Sequence, residues 1–380
     1  MPDVIALYIH IPFCKRKCKY CSFISFDDRV NDIPAYIDAL KQEFILRSVS
    51  ATIETIYFGG GTPSLLSPQQ LSDILAVIGR CFEIADDTEI SIEANPGTVD
   101  LKYLADIKEA GINRLSLGIQ SFNDSELSML GRIHSSKEAG AAVRDARQAG
   151  FDNLNIDLIY GLPGQNIDDW NTSLHQALDF HSEHMSLYAL TLEAEEMLAK
   201  EIKAGKWPQI DADTVATQYE LAEELLGKKG YRHYEVSNWS RPGRECRHNL
   251  VYWQEGSYLG VGVAAHSYIE KRRSANTGDL DKYIRALSQN KLPPQEIDEI
   301  INPDLEIVES IILGLRLCCG INIDDFEKRF GIDIMKQYGK QIEELLNFGL
   351  IEKNQEYIRL TPQGRLLGNE VFWRFLPDKI

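Results

Sequence analysis

Over the first 240 residues, short apolar runs alternate with stretches whose apolar positions return every three or four residues. The runs are VIALYIHI (4–11), ETIYFGG (54–60), EISIEAN (89–95), RLSLGIQ (114–120), NLNIDLIYG (153–161) and HMSLYALTLE (184–193). Their length and their β-branched and aromatic content predict strands. Helices are predicted over 33–49, 67–82, 135–150 and 167–180. Ser67 followed by Pro68 is a helix start, with a hydroxyl to cap free amides and a ring whose φ suits the first turn. Gly111 and Gly150 stand where helices end before the next strand. Strand, helix, strand in this rhythm predicts right-handed crossovers and a parallel sheet. The fold class expected is α/β, a partial (β/α)6 TIM-like barrel, with an open doubly wound sheet as the alternative.

The pattern changes after about residue 238, where the sheet is expected to break off. A Gly-, Arg- and aromatic-rich stretch, SNWSRPGRECRHNLVYWQEGSYLGVGVAAHSY, leads to a polar connector containing KLPPQE (291–296). From 301 onward the sequence reads helix, short helix, longer helix, a hairpin at LIEKNQEYIRLTPQGR, and a final helix. Three units follow: a barrel over 1–240, an aromatic and His-rich lid and connector over 241–300, and a small α-rich, winged-helix-like unit over 301–380. The last has a mixed or acidic face, which fits packing or partner docking better than DNA.

Composition narrows the function classes. The 380 residues are 44% hydrophobic and 26% charged, enough for a large core and a second unit. A net charge of -17 argues against general affinity for nucleic acid or anionic lipid. Asp3 stands where a signal peptide needs positive charge, and no run approaches the roughly 20 apolar residues of a membrane span. A cytoplasmic location is expected, where thiols stay reduced. Seven cysteines there point to metal chemistry before disulfides. Cys81, Cys318 and Cys319 sit in apolar helical patterns and are expected to be core residues. The basic CKRKCK segment reads either as a solvated loop or as a field favouring thiolates or an anionic ligand.

Unusual polar residues fall at the carboxyl ends of the predicted strands, where a parallel barrel binds its ligands. His10 leads into the cysteine loop, the second strand ends in GGGTPS (59–64), and Glu93, Gln120 and Asp157 mark the ends of the next three. Together they define a polar mouth. Gly59, Gly60 and Gly61 permit close backbone approach, although a bare turn would also use them. Neither a P-loop lysine nor the G-x-G-x-x-G pattern is present. Cys14, Cys18 and Cys21 are spaced Cys-x3-Cys-x2-Cys. Structural zinc wants four protein ligands, and His10 lies inside the preceding strand. An iron–sulfur cubane held by three thiolates leaves one iron open for a small chelating molecule.

The cysteine spacing, the aromatic before the third cysteine, and GGGTPS resemble the radical S-adenosylmethionine (SAM) superfamily. YIHIPFC, SIEANPG, RLSLGIQSF, NIDLIYGLPGQ and RHNLVYW resemble its HemN-like group, and within it the haem-chaperone branch. The resemblance implies that Cys14, Cys18 and Cys21 hold a [4Fe-4S] cluster whose open iron chelates SAM. It assigns Tyr8, Tyr20, Gly60, Gly61, Thr62, Glu93, Gln120, Arg132 and Asp157 to the cofactor, with Arg132 facing a carboxylate. The reaction implied for the superfamily is one-electron cleavage of the sulfonium to a 5′-deoxyadenosyl radical. Phe23 stands where the group's coproporphyrinogen III decarboxylase has a fourth cysteine, and only thirteen residues precede Cys14. Both departures count against the decarboxylase, and Phe23 is the pattern of the chaperone branch.

For haem, His248 is the first candidate ligand, Cys246 and His266 are alternatives, and Tyr252 and Trp253 can stack on a porphyrin. The plainer account of His248, Tyr252 and Trp253 is an aromatic lid. The expected function is haem delivery to a recipient such as a respiratory cytochrome, with little or no oxidase activity. The alternatives are oxygen-independent coproporphyrinogen III oxidase and a structural zinc protein. A flavodoxin-type electron donor, a homodimer and a peripheral membrane contact are all compatible with the sequence.

Overall fold

The first strand, β1 (Val4–Ile11), lies in the middle of the sheet, and every residue from Ile5 onward except Tyr8 is buried. That double-sided burial is what a parallel strand covered on both faces requires. The computed structural model describes residues 3–376, so the outermost residues of the units expected over 1–240 and 301–380 lie outside the described residues. From β1 the chain adds β2 (Thr52–Gly60), β3 (Glu83–Ala94), β4 (Arg114–Gln120), β5 (Leu154–Tyr160) and β6 (His184–Ala189) in sequence order. All are parallel, each joined to the next through helical segments. The expected strands are present, the third longer and the sixth shorter than their apolar runs.

The sheet does not break off near residue 238. A short hairpin, β7 (Arg232–Glu235) and β8 (Asn238–Ser240), pairs antiparallel to β6. On the other side β9 (Tyr258–Val261) pairs parallel to β1 as a seventh parallel strand. Beyond it lie β10 (His266–Ile269), β11 (Arg272–Asn276) and β12 (Gln295–Ile300), all antiparallel. The KLPPQE segment is thus not purely connector, since β12 begins within it. The result is one open twelve-stranded sheet, not a closed barrel.

Local chemistry sets the crossover helices. Ser67 caps Pro68–Cys81 and Ser135 caps Ser136–Gln148, each in a reciprocal capping box with Gln70 and Glu138. Gly111 and Gly150 adopt φ of +109° and +90° where the chain turns back toward the sheet. The helix Ile33–Leu46 covers the β1 end of the sheet with Tyr36, Leu40 and Phe44 in the core. Its fully buried Glu43 ties the β9 side to the barrel. One oxygen accepts from Arg47 Nε at 2.7 Å and Asn276 Nδ2 at 2.8 Å, the other from Gly262 N at 2.9 Å and Tyr283 OH at 2.6 Å.

Residues beyond 301 form their own core around Ile311, Leu315, Ile342, Leu345 and Val371. The helices Pro303–Arg316, Ile323–Phe330 and Ile334–Asn347 pack with a small sheet of β13 (Ile321–Asn322), β14 (Ile351–Lys353) and β15 (Tyr357–Leu360). Backbone bonds from Val236 N to Arg316 O and from Cys318 N to Tyr234 O join this unit to the β7–β8 hairpin. The cysteine expectation is corrected here: Cys319 is exposed, Cys81 and Cys318 are half-buried, and Cys318 and Cys319 follow the helix in a turn.

Candidate functional site

At its carboxyl end β1 turns through Pro12 and Phe13 into the cysteine loop. Backbone bonds from Cys14 N to Phe26 O and from Phe26 N to Pro12 O clamp the loop's two ends together. Lys19 bonds Leu130 O and receives Leu198 N, which fixes the middle against neighbouring loops. The three thiols that result line one cavity at the rim of the sheet. Among the described residues no three His, Cys, Asp or Glu side chains converge closely enough for one metal ion.

The glycines after β2 complete the cradle. A Cβ on Gly61 would stand 2.7 Å from Phe13 O and 3.0 Å from Cys14 Sγ. Gly60 has φ +115°, and a Cβ there would meet the His10 ring at 2.7 Å. Both positions therefore need glycine: a Cβ on Gly61 would crowd the Cys14 thiol, and one on Gly60 the His10 ring. Thr62 Oγ1 donates to Cys14 Sγ at 3.6 Å and Arg132 Nη1 to Cys18 Sγ at 3.3 Å. Burial pushes the Cys14 and Cys21 thiols up, a penalty that a bound cation reverses.

The cavity, about 360 Å³, also brings together Tyr20, Gly60, Gly61, Thr62, Glu93, Gln120, Arg132 and Asp157. Asp157 stands in the middle of β5 rather than at its end. Glu93 accepts from Tyr57 OH at 2.9 Å and Gly60 N at 3.2 Å. Asp157 accepts from Ser116 Oγ at 3.0 Å and Asn155 Nδ2 at 2.6 Å. Burial, with the neighbouring Asp157 adding to it, pushes Glu93 up to about 7, and burial raises Asp157 as well. Gln120 has φ +71°, a backbone strain for a residue with a Cβ. Its Oε1 is buried without a donor, and Arg132 Nε is buried without an acceptor. Unsatisfied donors and acceptors at one rim are what a polar ligand would meet.

Tyr8 lies elsewhere. With His10, Phe23, Ile24, Tyr252, Tyr258 and His266 it lines a neighbouring groove of about 350 Å³. The haem candidates divide between open and closed positions. His248, in the helix Arg247–Trp253, is 1% exposed; its Nδ1 pairs with Thr55 Oγ1 and its Nε2 with Tyr252 OH, both at 2.8 Å. Burial, then Arg114, pushes its pKa down to about 3. Neither ring nitrogen is open to a metal, so this arrangement matches the lid account. Cys246 is fully buried with its thiol toward Glu89 at 3.6 Å and is pushed up to about 12 by burial. Trp253 carries the Arg316 guanidinium over its ring at 4.5 Å. His266 alone of these is exposed, and burial and Arg273 lower its pKa, which favours the neutral imidazole.

Sequence reading missed the residues deeper in the cavity: Tyr57, Arg114, Ser116, Asn155, Ser186 and Asn249. The signal was present. RLSLGIQ and LNIDL alternate polar with apolar positions inside strands covered on both faces, so the polar members face a lumen rather than a packed interior.

The fold and the thiol-rimmed cavity define a radical SAM protein, and the radical SAM superfamily model matches residues 8–177, with the HemN C-terminal domain model matching 301–367. The heme chaperone HemW of Bacillus subtilis is 35% identical over 98% of this chain and 99% of its own. That of Lactococcus lactis is 37% identical over 98% and 97%. The chain belongs to the HemW family. Among solved structures, coproporphyrinogen III oxidase (HemN) from Escherichia coli, a radical SAM enzyme, superposes with a TM-score of 0.85 at 25% identity, over 98% of this chain and 89% of that one.

Proposed function

We propose that the chain handles haem: Cys14, Cys18 and Cys21 hold a [4Fe-4S] cluster, the adjoining cavity takes SAM, and the His266 groove holds haem for delivery to a recipient haemoprotein. The observation that carries this is three thiols lining the same cavity as the unpartnered Gln120 Oε1 and Arg132 Nε. Arg132 would orient the SAM carboxylate, Glu93 and the Gly60–Gly61 backbone its amino group, and Asp157 its ribose hydroxyls. When bound, the cluster supplies single electrons to the sulfonium. The protein's own contribution is orientation and exclusion of water.

For haem, the exposed neutral imidazole of His266 and the aromatic walls of its groove fit an axial ligand and a porphyrin face. The groove shares Ser22 and Phe23 with the thiol-lined cavity, so the two sites adjoin. Phe23 is 65% exposed, a large apolar surface free for such contact. Among the described residues no helix is long and apolar enough to cross a membrane; a recipient in a membrane would be met at its surface. A flavodoxin-type electron donor and a homodimer belong to the same proposal.

The test is anaerobic reconstitution followed by incubation with haem, SAM, reductant and a haem-free cytochrome. The expected result is about four irons per chain, a Soret band on the protein, and its transfer to the cytochrome. Efficient decarboxylation of coproporphyrinogen III would instead make the chain an oxidase, in line with its HemN likeness. Failure to retain either cluster or haem would overturn the proposal.

A further inference from the structure

Arg114 is the first residue of β4, at the end of the strand away from the cysteine loop, and is only 2% exposed. Its side chain lines the cavity from below. Its Nε is fully buried and has no hydrogen-bond partner among the described residues. The carboxylates whose fields reach it are committed to other donors. Glu89 accepts from Cys246 Sγ and from Arg247 N and His248 N at the start of the lid helix. Glu93 is taken by Tyr57 and Gly60, and Asp157 by Ser116 and Asn155. A guanidinium does not shed its proton. A buried guanidinium donor left without an acceptor is costly unless a ligand supplies one.

The surroundings limit what that ligand is. Tyr57, Ser116, Asn155, Ser186 and Asn249 line the same space, small or donor-bearing side chains that suit a small polar molecule and not a porphyrin ring. Glu89, Glu93 and Asp157 near the same guanidinium make a doubly charged phosphate unwelcome. A single carboxylate matches the two-pronged fork and brings half the charge of that phosphate into these acidic surroundings. We propose that Arg114 forms a carboxylate-binding subsite at the inner end of the lumen, distinct from the SAM position at the rim, which takes a small monocarboxylic acid. It stands on the lumen alone and does not depend on the cluster or haem assignments.

The test is calorimetric titration of the full chain with sodium propionate against a sodium chloride blank, with and without SAM. Wild type is expected to bind one propionate in both conditions and to prefer it over inorganic phosphate. Arg114→Gln weakens binding by at least about 30-fold, the loss expected when one side of a buried charged pair is truncated. Arg114→Lys keeps the charge but not the fork and falls in between, which keeps the test decisive if the Gln variant does not fold. No saturable propionate heat in wild type, equal affinity in the Lys variant, competition with SAM, or tighter phosphate binding would each overturn the assignment.

Discussion

The Arg132 guanidinium bonds the Cys18 sulfur through Nη1 at 3.3 Å and the Gly118 carbonyl through Nη2 at 2.5 Å. One side chain thus links β4 to the cysteine loop and places a positive charge against a proposed cluster ligand. Such a charge favours the reduced, more negative state. Arg132→Gln is expected to load about four irons but to lower the cluster's midpoint potential by about 60 mV, roughly tenfold for a one-electron couple. Potentiometric titration of both proteins checks this; an unchanged potential would detach Arg132 from the cluster.

Glu93 gives the cavity a pH dependence near neutrality. Pushed up to about 7, it is protonated in the empty site below that pH and charged above it. Affinity for SAM, whose iron-bound amine would donate an N–H to the ionised carboxylate, is therefore expected to rise as pH increases through 7 and then level off, and Glu93→Gln to flatten the profile. The stability sign is opposite. The folded carboxyl holds its proton more tightly than the ordinary 4.5, so stability falls as pH rises from about 4.5 to about 7. Ligand-free Glu93→Gln should melt higher than wild type at pH 8.

His248 works in the other direction. Its pKa is about 3 when folded against 6.5 ordinarily, so the unfolded chain binds the extra proton between those values. Its contribution is intact above pH 6.5 and is lost as pH falls toward 3. His248→Ala strands the Thr55 and Tyr252 hydroxyls and leaves a cavity, an expected loss of about 2–4 kcal/mol. Haem spectra should part the two histidines: His266→Ala alters the Soret band, while folded His248→Ala keeps it. The reverse pattern would place the haem on the lid helix.

Glu43→Ala removes the acceptor shared by Arg47, Asn276, Gly262 and Tyr283. Breaking a buried charged network on one side should cost about 3–5 kcal/mol, read as a lower denaturant midpoint. A change under about 1 kcal/mol, typical of exposed pairs, would show that the β9 side is held by packing instead.

The parallel order from β1 to β6 was legible because each strand is a local apolar run followed by its own helix. β9 was not, since YLGV is short, interrupted by Gly260, and pairs with β1 some 250 residues away. Gln120 and Glu93 were visible at or next to strand ends, and with Asp157, which lies in mid-strand, they do share one cavity. Arg114 was passed over because it opens its strand, where a polar residue ordinarily reads as a boundary. His248 looked like an open ligand because spacing cannot reveal that Thr55, far away in sequence, occupies one of its nitrogens.

On the proposed assignment, the three thiols leave one iron for SAM. Anaerobically reconstituted, reduced protein should be examined by electron–nuclear double resonance with SAM labelled with ¹⁵N at the methionyl amine and ¹⁷O at the carboxylate. Hyperfine coupling from both labels to the cluster is the predicted result, abolished by Cys18→Ala. A cluster that forms with SAM present yet shows no coupling to either label would contradict it.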